Sequence, residues 1–349
     1  MNAGLYGAGS FAAFLAFALA RGDALRISAV ASRTPQRAFA FAAKHQIVRG
    51  CEDLDALLAL DDLDAIIIAT PPFDHAASAI RCLEAGKHVF TEKPLATTSE
   101  DASRIVKAAD RAHRVIGIDS PMPFTDIVRA IGEIAGSRVA GALRRISVEN
   151  IASCEGLVDD HWFWDVRASG GIFVEHGVHF FDWCGALLGT SQDVVAWTAS
   201  TGRRQDRVFA AVGHERGGLA TYYHAFIATA DAERTRVIAS FDGCDAVAVG
   251  WVPTRLRLLG ERAQDAAVVV RTLRDANLRE LDSDEGPVFD AGAKLHAYAA
   301  SMRAAAADFC DAALRSETPR IVGAPRALLG LRVACAARAA AESGRRQPV

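Results

Sequence analysis

Short β-branched runs alternate with alanine-rich stretches through the first third of the chain, and no other feature of the sequence constrains its fold so strongly. Strands are expected at 3–6, 27–31, 65–69, 88–91 and 115–118, with helices near 11–21, 35–45, 53–60, 74–86 and 99–112. Strands separated by helices of this length form βαβ units and a parallel sheet, because a parallel connection needs a crossover. The run Ala65-Ile66-Ile67-Ile68-Ala69 is apolar throughout, as suits a strand covered on both faces.

The pattern changes near residue 120, where Pro121 and Pro123 interrupt it. A helix near 124–135 is followed by strand-rich text at 143–150, 193–200, 207–212, 219–228, 234–240, 245–249, 255–259 and 267–273. These segments mix alternating and apolar patterns joined by Gly- and Asp-containing turns, which predicts a largely antiparallel sheet. Helical sequence resumes at 291–315 and 325–342. The expected class is α/β: a Rossmann domain over 1–120, then an α+β domain over 121–349 with a large, mostly antiparallel sheet. The C-terminal helices are expected to pack back on the first domain.

With 349 residues, 51% of them hydrophobic, the chain has material for two cores. A net charge of −3 without a basic run argues against nucleic acid as a partner. Seven scattered cysteines without a C-x-x-C pair fit reduced thiols in a cytoplasmic protein and none marks itself as a nucleophile. Residues 3–20 carry no charge and Ala18-Leu19-Ala20 imitates a signal-peptidase site, but Met1-Asn2 supplies no positive start. No run is expected to span a membrane.

Gly7-Ala8-Gly9-Ser10-Phe11-Ala12 fits G-x-G-x-x-G/A between a strand and a helix, the context in which that pattern binds a dinucleotide. The first glycine permits a tight turn, the second a close backbone approach to the pyrophosphate, and the small third residue lets helix and strand pack. The helix N-terminus turns its N–H groups to the phosphates. The cofactor-specificity position at the end of the second strand reads Ser32-Arg33, with no carboxylate for the ribose hydroxyls of NAD. Ser32 can donate to a 2′-phosphate and Arg33 can pair with its charge, so NADP is expected in preference to NAD.

Three further segments follow in order: Thr70-Pro71-Pro72-Phe73-Asp74-His75, Glu92-Lys93-Pro94-Leu95, and the stretch from Gly170-Gly171 through Glu175, His176 and His179 to Asp182. Lys93 sits outside the carboxyl end of a strand, where open α/β sheets bind ligands, and a desolvated lysine there can work with a lowered pKa. Glu175 and His179 are four apart and would share a helix face, as suits a histidine base oriented by a carboxylate. A metal reading of His176, His179 and Asp182 is disfavoured, because three consecutive i, i+3 ligands fan around the helix. Upstream, His161, Trp162 and Trp164 are candidates for a sugar pocket, although such clusters also form ordinary core.

Together with the glycine turn these segments resemble the glucose–fructose oxidoreductase / inositol dehydrogenase / MocA-like family, over nearly the whole chain through Ala340-Ala341-Glu342-Ser343-Gly344-Arg345. The resemblance implies hydride transfer between NAD(P) and a secondary alcohol or ketone of a sugar or cyclitol. It assigns Lys93 as the central active-site residue, Glu92-Lys93 as contacts of the nicotinamide ribose, and the Lys93–Pro94 bond as often cis. His179 carries over as the acid–base histidine. Glu175 stands where the family has Asp, which leaves its part open. Thr70, Pro71 and His75 are assigned to the cofactor, no metal is needed, and a homodimer or homotetramer is implied. The alternatives are a non-catalytic cofactor- and sugar-sensing protein, or a glycosidase that uses NAD transiently.

Overall fold

The computed structural model describes all residues from Met1 to Val349 and divides into two compact units. The first comprises Met1–Pro121, Arg167–Gly170 and Ala299–Leu331, and the second Met122–Val166, Gly171–Tyr298 and Arg332–Val349. The break at Pro121 falls beside the proline pair, and Ala299–Leu331, from the C-terminal helical region, belongs to the first unit.

The first unit runs β1 (Asn2–Tyr6), α1 (Ser10–Leu19), β2 (Arg26–Ala31), α2 (Pro35–His45), β3 (Arg49–Cys51), α3 (Leu54–Leu58), β4 (Ala65–Ile68), α4 (Pro72–Glu84), β5 (His88–Thr91), α5 (Ser99–Ala112) and β6 (Ile116–Ile118). All six strands are parallel, in the order β3-β2-β1-β4-β5-β6. The order reverses between β1 and β4, the switch point at which such sheets open a crevice for ligands. Burial on both faces keeps β4 wholly apolar. The edge strand β3 was not expected: Arg49-Gly50-Cys51 has no apolar run and is held by pairing to β2.

The first unit's core is completed from far along the chain. Phe309 is fully buried, its ring centroid 5.3 Å from that of Phe90 on β5. The N–H of Ile118 donates to the Val322 carbonyl at 2.8 Å, and Gly323 bridges Gly117. The segment 299–331 therefore covers sheet surface as well as extending it.

The second unit begins with α6 (Asp126–Ser137) and β7 (Leu143–Ser153). It continues with α8 (Val178–Leu188), β8 (Ser191–Thr201), β9 (Arg204–His214), β10 (Leu219–Ala228), β11 (Arg234–Phe241), β12 (Asp245–Val249), β13 (Arg255–Leu259), α9 (Ala263–Arg271), β14 (Arg279–Leu281), β15 (Val288–Asp290) and β16 (Gln347–Pro348). The short α7 (Val166–Ser169) and the long α10 (Lys294–Arg315) and α11 (Ala324–Ser343) run across the unit boundaries. Ten strands form one sheet, β14-β15-β13-β12-β11-β7-β10-β9-β8-β16, antiparallel except where β10 lies parallel to β7. Strict alternation of buried and half-buried residues along β9 marks a sheet with one covered face.

One expected strand is a helix. The triplet Val268-Val269-Val270 suggests β structure at 267–273, but Ala263, Ala266, Ala267 and Val270 are the buried residues of α9. Their i, i+3, i+4, i+7 spacing is helical, and burial of that stripe outweighs the modest helix penalty of the valines. No helix is long and apolar enough to cross a membrane; the uncharged residues 3–20 are spent on β1 and α1.

Phe309→Ala removes a buried ring from the first unit's core and should cost about 3–5 kcal/mol in urea unfolding. A loss under about 1 kcal/mol would mean that the 299–331 segment is not part of this core.

Candidate active site

Four backbone hydrogen bonds step across the carboxyl ends of the first sheet. Gly7 N–H donates to Ala31 O at 2.9 Å, Ala69 N–H to Tyr6 O at 2.8 Å, Glu92 N–H to Ile68 O at 2.8 Å, and Asp119 N–H to Thr91 O at 2.8 Å. The register pairs Tyr6 with both Ala31 and Ile68, Ile68 with Thr91, and Thr91 with Ile118. Parallel pairing thus brings the glycine turn, Ser32-Arg33, Thr70, Glu92-Lys93 and Asp119 to one edge, although they are scattered over the first 119 residues.

The two glycines at this edge serve different ends. Gly7 has φ +128°, and a Cβ there would lie 2.4 Å from the Ala69 carbonyl oxygen, so the fold itself requires glycine. At Gly9, which caps α1, a Cβ would meet no protein atom within 4 Å. The protein does not require glycine there; a ligand approaching the backbone would. Helix α1 begins with no side-chain cap and no acidic residue in its first turn, with Ser10 exposed and Phe11 half-buried. Its positive end is left for an anion. Ala12 is fully buried, as the third motif position demands. The Thr70 hydroxyl is buried without a protein partner. These features fit a dinucleotide lying along Gly9, the start of α1 and Thr70.

Ser32 and Arg33 part company. The Ser32 hydroxyl donates to Thr34 O at 2.7 Å and accepts from Thr34 N–H at 3.3 Å, so its one proton serves the loop rather than a 2′-phosphate. Arg33 is exposed, with its guanidinium carbon 5.6 Å from the ring centroid of half-exposed Phe73, an aromatic surface beside a charge.

His75 is wholly buried, and its ring does not face a ligand. Nδ1 lies 2.7 Å from Pro94 O and Nε2 2.8 Å from Thr70 O, so the ring ties the segment after β4 to the segment after β5. Burial pulls its pKa below the ordinary histidine range, against the opposing pull of the two carbonyls. Pro71 caps α4 in an extended conformation, and the Lys93–Pro94 bond is cis. Lys93 and Glu92 are half-buried.

In the second unit, Glu175 and His179 do not lie on one regular α-helix. Phe173–Gly177 form a single π-helical turn, and α8 starts at Val178, so the two residues stand on different windings. The Glu175 N–H reaches back to Gly171 O at 2.8 Å. His179 is buried, with Trp251 edge-on to its ring at 4.5 Å and His176 at 5.7 Å. Fully buried His224 stands 5.3 Å from His176, held well below the ordinary range by burial and then by His176. Nothing in the local sequence of Trp251 and His224 marks them for this cluster: Trp251, just after β12, meets His176 and His179, and His224 on β10 meets His176.

His161, Trp162 and Trp164 form a short 3-10 turn around buried Phe163. His161 Nδ1 accepts from the Phe163 N–H at 3.2 Å, and the ring stands 5.2 Å from Trp162. Trp164 Nε1 donates to Leu157 O at 3.1 Å under the guanidinium of Arg204. All three stay half-buried.

Two family models cover most of the chain: "oxidoreductase family, NAD-binding Rossmann fold" matches residues 1–120, and "GFO/IDH/MocA C-terminal domain" matches 128–263. The chain belongs to this family of oxidoreductases. A member from Sphingobium, 4-carboxy-2-hydroxymuconate-6-semialdehyde dehydrogenase, is 40% identical over 107 residues, 31% of this chain and 34% of the relative. Inositol 2-dehydrogenase of Rhizobium meliloti is 29% identical over 199 residues, 56% of this chain and 58% of the relative. The chain thus matches less than two thirds of the length of either. An oxidoreductase from Agrobacterium radiobacter, solved with NAD+, L-tartaric acid and magnesium, shares the fold at a TM-score of 0.82 and 17% identity, covering 100% of this chain and 98% of that one.

The two glycines give a paired test. Gly9→Ala should leave the melting temperature unchanged and weaken dinucleotide binding about tenfold or more, by fluorescence titration. Gly7→Ala should lower both stability and binding. Equal binding by Gly9→Ala and the native protein would place the cofactor elsewhere.

Proposed function

We propose that this family member transfers a hydride between a nicotinamide dinucleotide, NADP in preference to NAD, and a secondary alcohol or ketone carbon of a sugar or cyclitol. The observation that carries the reading is Lys93, fixed at the sheet edge that also holds the glycine turn and the start of α1. The bound nicotinamide supplies the hydride acceptor or donor; the protein has to bind it, orient the substrate oxygen and move a proton.

Lys93 is the group we assign to the substrate oxygen, donating a hydrogen bond to it and exchanging a proton with it. His179 is the second proton-exchanging group. Its pairing with the edge of Trp251 restricts the ring's orientation. Glu175 supports it. His161, Trp162 and Trp164 are assigned to the polyol, offering aromatic faces with polar tips. Arg33 is assigned to the 2′-phosphate of NADP, with Phe73 beneath its guanidinium. The inositol dehydrogenase relative supports the choice of cyclitols as first substrates.

A second copy of this chain is the partner expected for the less covered face of the ten-stranded sheet, where Trp197 stands 59% exposed next to Phe209.

Lys93→Ala should lower turnover at least about a hundredfold on an active cyclitol or sugar while NADPH binding is retained. Unchanged turnover would remove Lys93 from the reaction. Arg33→Ala should weaken NADPH binding by about tenfold or more and leave NADH binding within about twofold. Equal losses for both cofactors would contradict the assignment to the 2′-phosphate.

A further inference from the structure

Asp119 is a carboxylic acid where the fold gives it no ordinary support. It follows the last residue of β6, its N–H is bound to Thr91 O on β5, and its side chain is 2% exposed. Neither carboxylate oxygen has a hydrogen-bond partner. A buried carboxylate without donors is strongly disfavoured unless a positive charge faces it or a proton neutralises it. Charged groups on surrounding elements include Lys93 after β5, His75 on α4 and Asp308 on α10. Lys93 is the one whose charge acts on Asp119, while Asp308 is occupied by the N–H groups of Ile321 and Val322. Lys93 also acts on His75, so one ammonium lies within electrostatic reach of both.

We propose that Asp119 is a positioning residue for Lys93, a buried proton store that receives and returns the proton Lys93 exchanges with the substrate oxygen. The proposal rests on the dehydrogenase reading above. In the oxidising direction the substrate hydroxyl gives its proton to Nζ of Lys93, and Nζ, swinging into hydrogen-bond reach of the Asp119 carboxylate that the resting structure leaves unpartnered, gives one of its own to it. The substrate's O–H and C–H bonds break and its C=O bond forms. The hydride leaves to the oxidised nicotinamide, and the carboxyl O–H of Asp119 is made. Lys93 ends as it began, an ammonium able to hold the carbonyl oxygen. Reduction runs the same steps backward from a protonated Asp119.

The acidity of the site suits this part. Burial pushes the Asp119 carboxyl up to about 8, with the Lys93 charge pulling against that rise. A group that titrates near the working pH of an alcohol–ketone couple can both take and release a proton. A proton-linked stability effect follows from the same rise. The folded protein holds the proton more tightly than the unfolded chain, so Asp119 contributes stability at acid pH that is lost as pH climbs from about 4 to about 8.

The test compares the native protein with Asp119→Asn, which keeps the shape and cannot ionise. Without cofactor or substrate, the melting temperature of the variant relative to native should rise steadily from pH 5 to pH 8 and then level. With cofactor and an active cyclitol, the native kcat for oxidation should rise through a limb near pH 8. That limb should vanish in the variant, with kcat at least about tenfold lower and NADPH binding unchanged. A pH-independent melting difference, or the same limb in both proteins, overturns the proposal. If native turnover is absent on every sugar and cyclitol, the dehydrogenase reading fails and the relay with it. A failed relay with intact turnover leaves that reading standing. Should Asp119→Asn not fold, the infrared band of a protonated carboxyl in the native protein decides. Titration of that band near pH 8, shifted in Lys93→Met, supports the proposal; absence of the band at pH 6 overturns it.

Discussion

The row of backbone hydrogen bonds from Ala31 through Tyr6, Ile68 and Thr91 to Asp119 is the constraint on which the rest of the first unit depends. In a parallel sheet a one-residue slip exchanges the two faces of a strand. The largely buried strands β1, β4 and β5 therefore fix register through packing, and register fixes which residues emerge at the carboxyl edge. Glycine at position 7 is a consequence of that register, since the turn passes against the Ala69 carbonyl. Lys93 and Asp119 are neighbours for the same reason. His75 adds to the arrangement with its buried ring set between Thr70 O and Pro94 O, its single N–H donating to one of them.

Sites of this kind ask a fold to tolerate costly local features. Thr70 carries a buried hydroxyl without a protein partner, Asp119 a buried carboxyl without donors, and His224 two buried ring nitrogens in the same condition. Each such group costs on the order of 1–3 kcal/mol when left unpaired. Their neighbours are well packed: β4 is buried throughout, and Phe90 and Phe309 fill the space beneath β5 and β6. Stability surplus in the core and polar deficit at the edge are what a binding or proton-moving surface requires.

Much of the first unit was legible in the sequence because both faces of its strands are covered, which leaves continuous apolar runs such as Ala65-Ile66-Ile67-Ile68. Edge strand β3 lacks that signal, and in α9 three consecutive valines suggest a strand while the four buried alanine and valine positions keep helical spacing. Gly7 and Lys93 could be found from motifs that are local in sequence. Asp119, Trp251 and His224 could not, since their neighbours are distant in sequence and meet them only through tertiary packing. The Ser32 hydroxyl has a local partner that the cofactor motif does not announce: it sits two residues before Thr34 and hydrogen-bonds that residue's backbone. The π-helical turn before His179 likewise has no signature in the i, i+4 spacing of Glu175 and His179.

On the function proposed above, the edge carrying Lys93 is where a hydride passes between substrate carbon and cofactor. The most direct test uses a cyclitol deuterated at its oxidisable carbon, with mass spectrometry of the cofactor after turnover. Deuterium is expected in the reduced nicotinamide with the native protein and almost none with Lys93→Ala. Reduced cofactor without the label, or labelled cofactor formed equally well by Lys93→Ala, would contradict that function.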